Sequence, residues 1–262
     1  MTMTSQTIEA QAATFRECFG HLKTEIGRVF VGQPELVDQL LLCFFCQGHA
    51  LIEGPPGLGK TLLVKTLSDA ADLRFARVQC TPDLMPADVT GTNILVDTPG
   101  GQREFVFQRG PIFANIVLAD EINRATPRTQ AAFLEAMQER RVTVFGVTHP
   151  LDVPFSVFAT QNPIEMEGTY PLPEAQLDRF FFKLHVPFPN REELHAILDL
   201  TTGHIRTERQ AVLHREDILR MQNLVRRVPV GSISRKSRVP LTARCCSRNL
   251  EGGYRFFRCQ QS

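Results

Sequence analysis

The chain has 262 residues, 43% hydrophobic and 22% charged, the make-up of a globular protein with room for one domain and part of another. The longest apolar run, residues 40–46, is far too short to cross a bilayer, and residues 1–6 carry neither a basic nor an apolar leader segment, so a cytoplasmic protein with no membrane span is expected. Formal charge is +1, but residues 231–262 hold seven Lys/Arg against Glu251 alone, while the rest of the chain has 22 basic and 27 acidic side chains; this mildly acidic body lacks the basic footprint of a nucleic-acid binder.

In chain order, Ile8, Ala12, Phe15, Phe19, Leu22 and Ile26 recur at helical spacing over residues 8–29. Val31-Gly32-Gln33-Pro34 breaks that pattern, and Pro34 suits the first turn of a second helix over about 35–48. Cys43 and Cys46 fall inside this apolar helical run. With no second Cys/His pair at ligand spacing they read as buried structural thiols rather than a redox or metal pair.

Residues 50–53 read as a short buried strand, and residues 61–67 as a helix. Between them stands Gly54-Pro55-Pro56-Gly57-Leu58-Gly59-Lys60-Thr61, which fits the phosphate-binding loop G-x-x-x-x-G-K-[ST]. The glycines permit the tight turn that aims backbone N–H groups at phosphate oxygens. Lys60 brings a point charge for β- and γ-phosphates, Thr61 a hydroxyl for Mg²⁺, and the helix its positive dipole end.

A second strand is expected over 74–80, then a hairpin from 94–96 and 103–107. A third core strand over 115–119 runs directly into Asp120-Glu121. An acid at the carboxyl end of a parallel strand can orient a Mg²⁺ shell (Asp120, through water), and the next can accept a proton from an attacking water (Glu121). Thr126-Pro127 opens a helix to about 140, and another hairpin follows over 141–152. Strands over 153–160 and 180–186 complete the sheet. Asn162, at the end of the fourth strand, can hydrogen-bond a γ-phosphate; read locally, it is equally an Asn-Pro turn before Pro163. Arg179 can be an arginine finger for a neighbouring subunit, or half of a surface ion pair with Asp178 or Glu174.

Strands alternating with helices indicate an α/β, mainly parallel sheet covered on both faces. The expected organisation is an N-terminal helix (1–30), a nucleotide-binding core (31–187), a partial helical lid (188–230) and a basic tail (231–262).

The order of these motifs resembles that of AAA+ ATPases. Asp120-Glu121-Ile122-Asn123-Arg124-Ala125, the stretch 130–139, Ala159-Thr160-Gln161-Asn162-Pro163 and the stretch 167–180 together resemble the MoxR family, over about residues 32–230. The resemblance implies a P-loop NTPase fold with two β-hairpin inserts, and ATP with Mg²⁺ as ligands. By it, residues 54–61 are Walker A, Asp120 and Glu121 Walker B, Asn162 sensor 1 and Arg179 the finger. It further implies a hexameric ring, a chaperone-like ATPase activity, and a von Willebrand factor A-domain partner in the maturation of metal-dependent enzymes. A chelatase-type motor for metal insertion and a hydrolysis-poor nucleotide-binding adaptor are the alternatives. After Val230 the resemblance stops: charge, cysteine content and periodicity all change. The segment 231–262 reads as an out-of-frame or aberrant terminus in place of the remaining lid, or as a disordered basic tail. A shortened lid implies weak nucleotide affinity, poor ring formation and partial exposure of Leu194, Ile197, Leu198 and Leu224.

Overall fold

The computed structural model describes residues 5–97, 102–164, 168–202 and 210–228. The tail 231–262 and the turn of the first hairpin lie outside them. Helix α1 (Ser5–Val29) precedes α2 (Pro34–Phe45), β1 (Ala50–Glu53), α3 (Lys60–Ala70) and β2 (Phe75–Gln79). A short α4 (Pro86–Thr90) leads into the hairpin β3 (Gly91–Asp97) and β4 (Arg103–Arg109). Next come β5 (Ile116–Asp120), α5 (Pro127–Glu139), the hairpin β6 (Arg141–Val144) and β7 (Val147–Pro150), and β8 (Ser156–Gln161). The last elements are α6 (Glu174–Leu177), β9 (Phe182–His185), α7 (Arg191–Thr202) and α8 (Arg215–Arg227).

Five strands form one parallel sheet in the order β2-β5-β8-β1-β9, and each hairpin is a separate two-stranded sheet. The strand period of two divides the core cleanly. Ala50, Ile52, Ile116, Leu118 and Phe158 point into one apolar layer with α1, α2 and α3. Their neighbours Leu51, Val117, Ala119, Val157 and Ala159 point into the other, with Phe133, Leu134 and Met137 of α5. Burial on both faces explains why these strands read as continuous apolar runs.

Local chemistry sets the element ends. The Thr126 hydroxyl caps α5 by accepting the Thr129 N–H at 3.4 Å, with Pro127 at the first helical position. Helix α2 stops at Phe45, three residues short of the expected 48, and Gln47 then adopts φ +57°. The fourth strand begins at Ser156 rather than 153, since Pro154 has no N–H for the ladder.

The residues after β9 depart from the expected exposure in one respect. Leu194 and Leu198 on α7 are exposed (47% and 54%), and Ile197 is half-buried. Leu224 on α8 is instead buried at 8%, because α8 docks on α1 and α2. Ile218 and Met221 enter the first apolar layer, and Gln222 Nε2 donates to the Phe44 carbonyl at 2.9 Å.

Candidate active site

The carboxyl ends of β1, β5 and β8 open on a cleft of about 270 Å³, lined by residues 56–61, Arg77, Gln79, Asp120, Glu121, Thr160 and Asn162. This is where ligands of open parallel sheets bind. Order β2-β5-β8-β1-β9 sets β1 between β8 and β9, so the loop after β1 meets the ends of β5 and β8 without further folding.

The motif 54–61 turns into α3 at Gly59, the helix N-cap, with φ +75°, a left-handed conformation that glycine adopts without steric cost. Leu63 N–H makes the first bond of α3, to Gly59 O at 2.9 Å, so the N–H groups of the preceding turn have no intrahelical partner and face an incoming anion. Lys60 Nζ donates to the carbonyls of Gly54 and Pro55, each at 2.7 Å, closing the loop on itself. Burial lowers the Lys60 pKa, and the carboxylates of Asp120 and Glu121 oppose that shift.

Asp120 is the most heavily bonded group in the cleft. Its Oδ1 accepts from the Thr160 hydroxyl at 2.5 Å. Its Oδ2 accepts from Arg77 Nε at 3.0 Å and Nη2 at 2.6 Å, and lies 3.4 Å from the Thr61 hydroxyl. Glu121 stands at φ +57°, its N–H bonded to Thr160 Oγ1 at 2.8 Å and its carboxylate paired with Arg124 Nε at 3.1 Å. Asn162 is 5% exposed, and its Oδ1 accepts the Ile164 N–H at 3.1 Å, so the turn reading and a place in the cleft both hold.

Arg179 is not among the cleft residues. It is exposed and donates to the Leu134 carbonyl at 3.0 Å, in place of the ion pair with Asp178 or Glu174 that its neighbours suggest. Behind the site, burial pushes the Cys80 thiol up to about 12, helped by Asp120 and Glu121, so it stays protonated. Buried Cys43 is raised as well, in keeping with a structural thiol, whereas Cys46, the C-cap of α2, is only half-buried.

The donors suit Mg²⁺. A hydroxyl and a carboxylate oxygen 3.4 Å apart are hard oxygen ligands, and Mg²⁺ takes one or two such groups together with phosphates. Among the described residues no cluster of three His, Cys, Asp or Glu forms an all-protein cage. Sequence reasoning did not single out Thr160, Arg77 or Arg124. Both Thr160 and Arg77 fall within expected strands (153–160 and 74–80) and belong to no motif that assigns them a role.

The family model for ATPases associated with various cellular activities (AAA) matches residues 49–182, from the start of β1 to β9. The chain is 47% identical over 200 residues to Chaperone MoxR1 of Mycobacterium tuberculosis, covering 76% of this chain and 52% of that protein. It is 31% identical over 186 residues to Protein MoxR of Methylorubrum extorquens, covering 69% of this chain and 53% of that one. The chain thus spans about half the length of these curated relatives. A crystal structure from Cytophaga hutchinsonii superposes with a TM-score of 0.81 at 38% identity, covering 92% of this chain and 72% of that one. With the P-loop motif, Asp120-Glu121 and Asn162 gathered at the ends of one parallel sheet, these likenesses show that the chain belongs to the MoxR family of AAA+ ATPases.

Proposed function

We propose that this chain binds ATP with Mg²⁺ and hydrolyses it, as the motor of a chaperone-like machine that remodels or matures protein complexes. The observation that supports this most is the meeting of Lys60, Thr61, Asp120, Glu121 and Asn162 on one cleft at the N-terminus of α3. Lys60 exchanges its two loop carbonyls for phosphate oxygens. Thr61 and Asp120 hold Mg²⁺, which when bound offsets the charge of the β- and γ-phosphates. Glu121 turns away from Arg124 and takes a proton from the attacking water, which Asn162 orients through Nδ2, its Oδ1 being engaged by Ile164. Arg179, exposed and outside its own cleft, serves the site of a neighbouring subunit in a hexameric ring, where such an arginine is worth about 10³–10⁵ in rate. A cytoplasmic location and a von Willebrand factor A-domain partner belong to the same reading, on family resemblance.

Glu121→Gln tests it. The variant should keep its affinity for a fluorescent ATP analogue within about twofold and lose steady-state turnover, the proton acceptor alone being gone. Turnover at the wild-type rate would remove Glu121 as the base. A second reading, a nucleotide-binding adaptor with little hydrolysis, draws support from the Arg124–Glu121 pair, which keeps the base occupied. A wild-type chain that binds ATP but releases no phosphate would favour the adaptor.

A further inference from the structure

Among the described residues, Arg77 is the one cleft side chain that carries a full positive charge without belonging to the phosphate-binding loop. It stands on β2 two residues before Gln79, and strand alternation turns both toward the cleft while Val78 faces the core. Gln79 pairs in register with Asp120 on β5, so Arg77 reaches across to the carboxylate that closes the neighbouring strand.

The way it binds is specific. Nε and Nη2 both converge on Oδ2 of Asp120, and Nη2 also donates to Gln79 Oε1 at 2.8 Å. Oδ1 is committed to Thr160. The oxygen Arg77 takes is therefore the same one that faces the Thr61 hydroxyl, the oxygen a hydrated Mg²⁺ needs. A guanidinium with two hydrogens on one oxygen fills its accepting directions and repels a nearby divalent cation. The Asp120 side chain is 11% exposed and the Arg77 side chain 49%, so the acid is fixed and the base has room to leave.

We propose that Arg77 holds the cation's place in the nucleotide-free cleft and competes with Mg²⁺ for Oδ2 of Asp120. In this way it sets how strongly nucleotide binding depends on Mg²⁺. This rests on the reading of the cleft as an ATP·Mg²⁺ site. Without Mg²⁺, Arg77 offsets the charge of Asp120, and ATP enters a less negative cleft. With Mg²⁺, the guanidinium is displaced from Oδ2, and breaking the ion pair lowers the gain from the metal. Arg77 is thus a positioning residue that acts through Asp120.

The test measures the dissociation constant of a fluorescent ATP analogue in EDTA and in saturating Mg²⁺, for wild type, Arg77→Gln and Arg77→Lys. The ratio of the constant in EDTA to that in Mg²⁺ should rise about two- to fivefold in Arg77→Gln, a change typical of losing a partly exposed ion pair, with binding in EDTA weakened and binding in Mg²⁺ held or tightened. Arg77→Lys keeps the charge but cannot fork onto one oxygen, and should raise the ratio less; it also serves if Arg77→Gln does not fold, as judged by thermal melting. An unchanged ratio, with both constants moving together or neither moving, overturns the proposal, as does a lower ratio. A wild type that binds the analogue in neither buffer instead defeats the nucleotide reading on which it rests.

Discussion

The Thr160 hydroxyl joins Asp120 to the backbone of Glu121: it donates to Asp120 Oδ1 at 2.5 Å and accepts the Glu121 N–H at 2.8 Å. Thr160 is fully buried, so its hydroxyl sits away from bulk solvent. Thr160→Val keeps the shape and removes the oxygen, leaving two polar groups unpaired at a cost of about 1–3 kcal/mol. It should also free Glu121 from its φ of +57°, a conformation that needs outside support. Urea unfolding should show the lower midpoint, and phosphate release should fall more than affinity for an ATP analogue. Thr160→Ser should recover most of both losses. Equal loss in Thr160→Ser and Thr160→Val would mean the hydroxyl is not the cause.

Gly91 opens the first hairpin at φ +96°, and a Cβ there would strike the Gln108 carbonyl oxygen and the Gly110 nitrogen. Both obstacles are backbone and cannot swing aside. Gly91→Ala should cost about 3 kcal/mol or more, seen as a lower thermal midpoint. Gly146 is the contrast. It has φ +80° in the turn of the second hairpin but nothing within 4 Å of its Cβ, so Gly146→Ala should cost only about 1 kcal/mol. Similar losses at both sites would show that φ alone matters.

The loop 54–61 was legible because its backbone needs particular residue types: Gly59 at positive φ, a lysine and a hydroxyl beside the anion. Asp120-Glu121 is legible because two acids close a buried apolar run downstream of that loop; alone, they read equally as a solvated strand end. Arg77 and Thr160 gave no such signal, because their meaning lies in a partner about 40 residues away across the sheet. Leu224 is buried rather than partly exposed for the same reason. Its helix is covered by α2, whose Phe44 carbonyl meets Gln222 from 178 residues earlier. The five-residue α4 escaped notice because it is too short to show a helical period.

Arg179 lies outside the cleft and spends one hydrogen bond on Leu134 O. Arg179→Ala should therefore leave affinity for an ATP analogue within about twofold of wild type, an exposed side chain being removed from outside the cleft. Turnover of the assembled protein should drop by at least about 10³-fold if the arginine serves a neighbour's site. Binding titration and phosphate release on the same preparation separate the two effects. A matching loss of affinity would place Arg179 in its own cleft, against the geometry.

His49, just before β1, links the sheet to α5. Its Nδ1 accepts the Val157 N–H at 2.9 Å, and its Nε2 faces the Met137 carbonyl at 3.1 Å. Those partners require the neutral ring with its proton on Nε2. Burial is the main cause that pushes its pKa down, to about 4; Arg140 acts the same way and the Met137 carbonyl against it. The folded value lies below the ordinary 6.5, so the unfolded chain binds the proton first. The stability from this site is complete above about pH 6.5 and drains away as the pH falls toward about 4, by about 3 kcal/mol in all. His49→Gln has no group to titrate there. Between pH 6.5 and 4.5 the wild type should lose unfolding free energy faster than the variant, by up to about 1.4 kcal/mol per pH unit. Urea unfolding across that range reads the difference directly, because every other titrating group is common to both proteins. Parallel pH profiles would mean that the ring is already charged in the fold. The Val157 N–H would then need another acceptor, and the register of β8 beside β1, on which the loop 54–61 is mounted, would lose one of its fixed points.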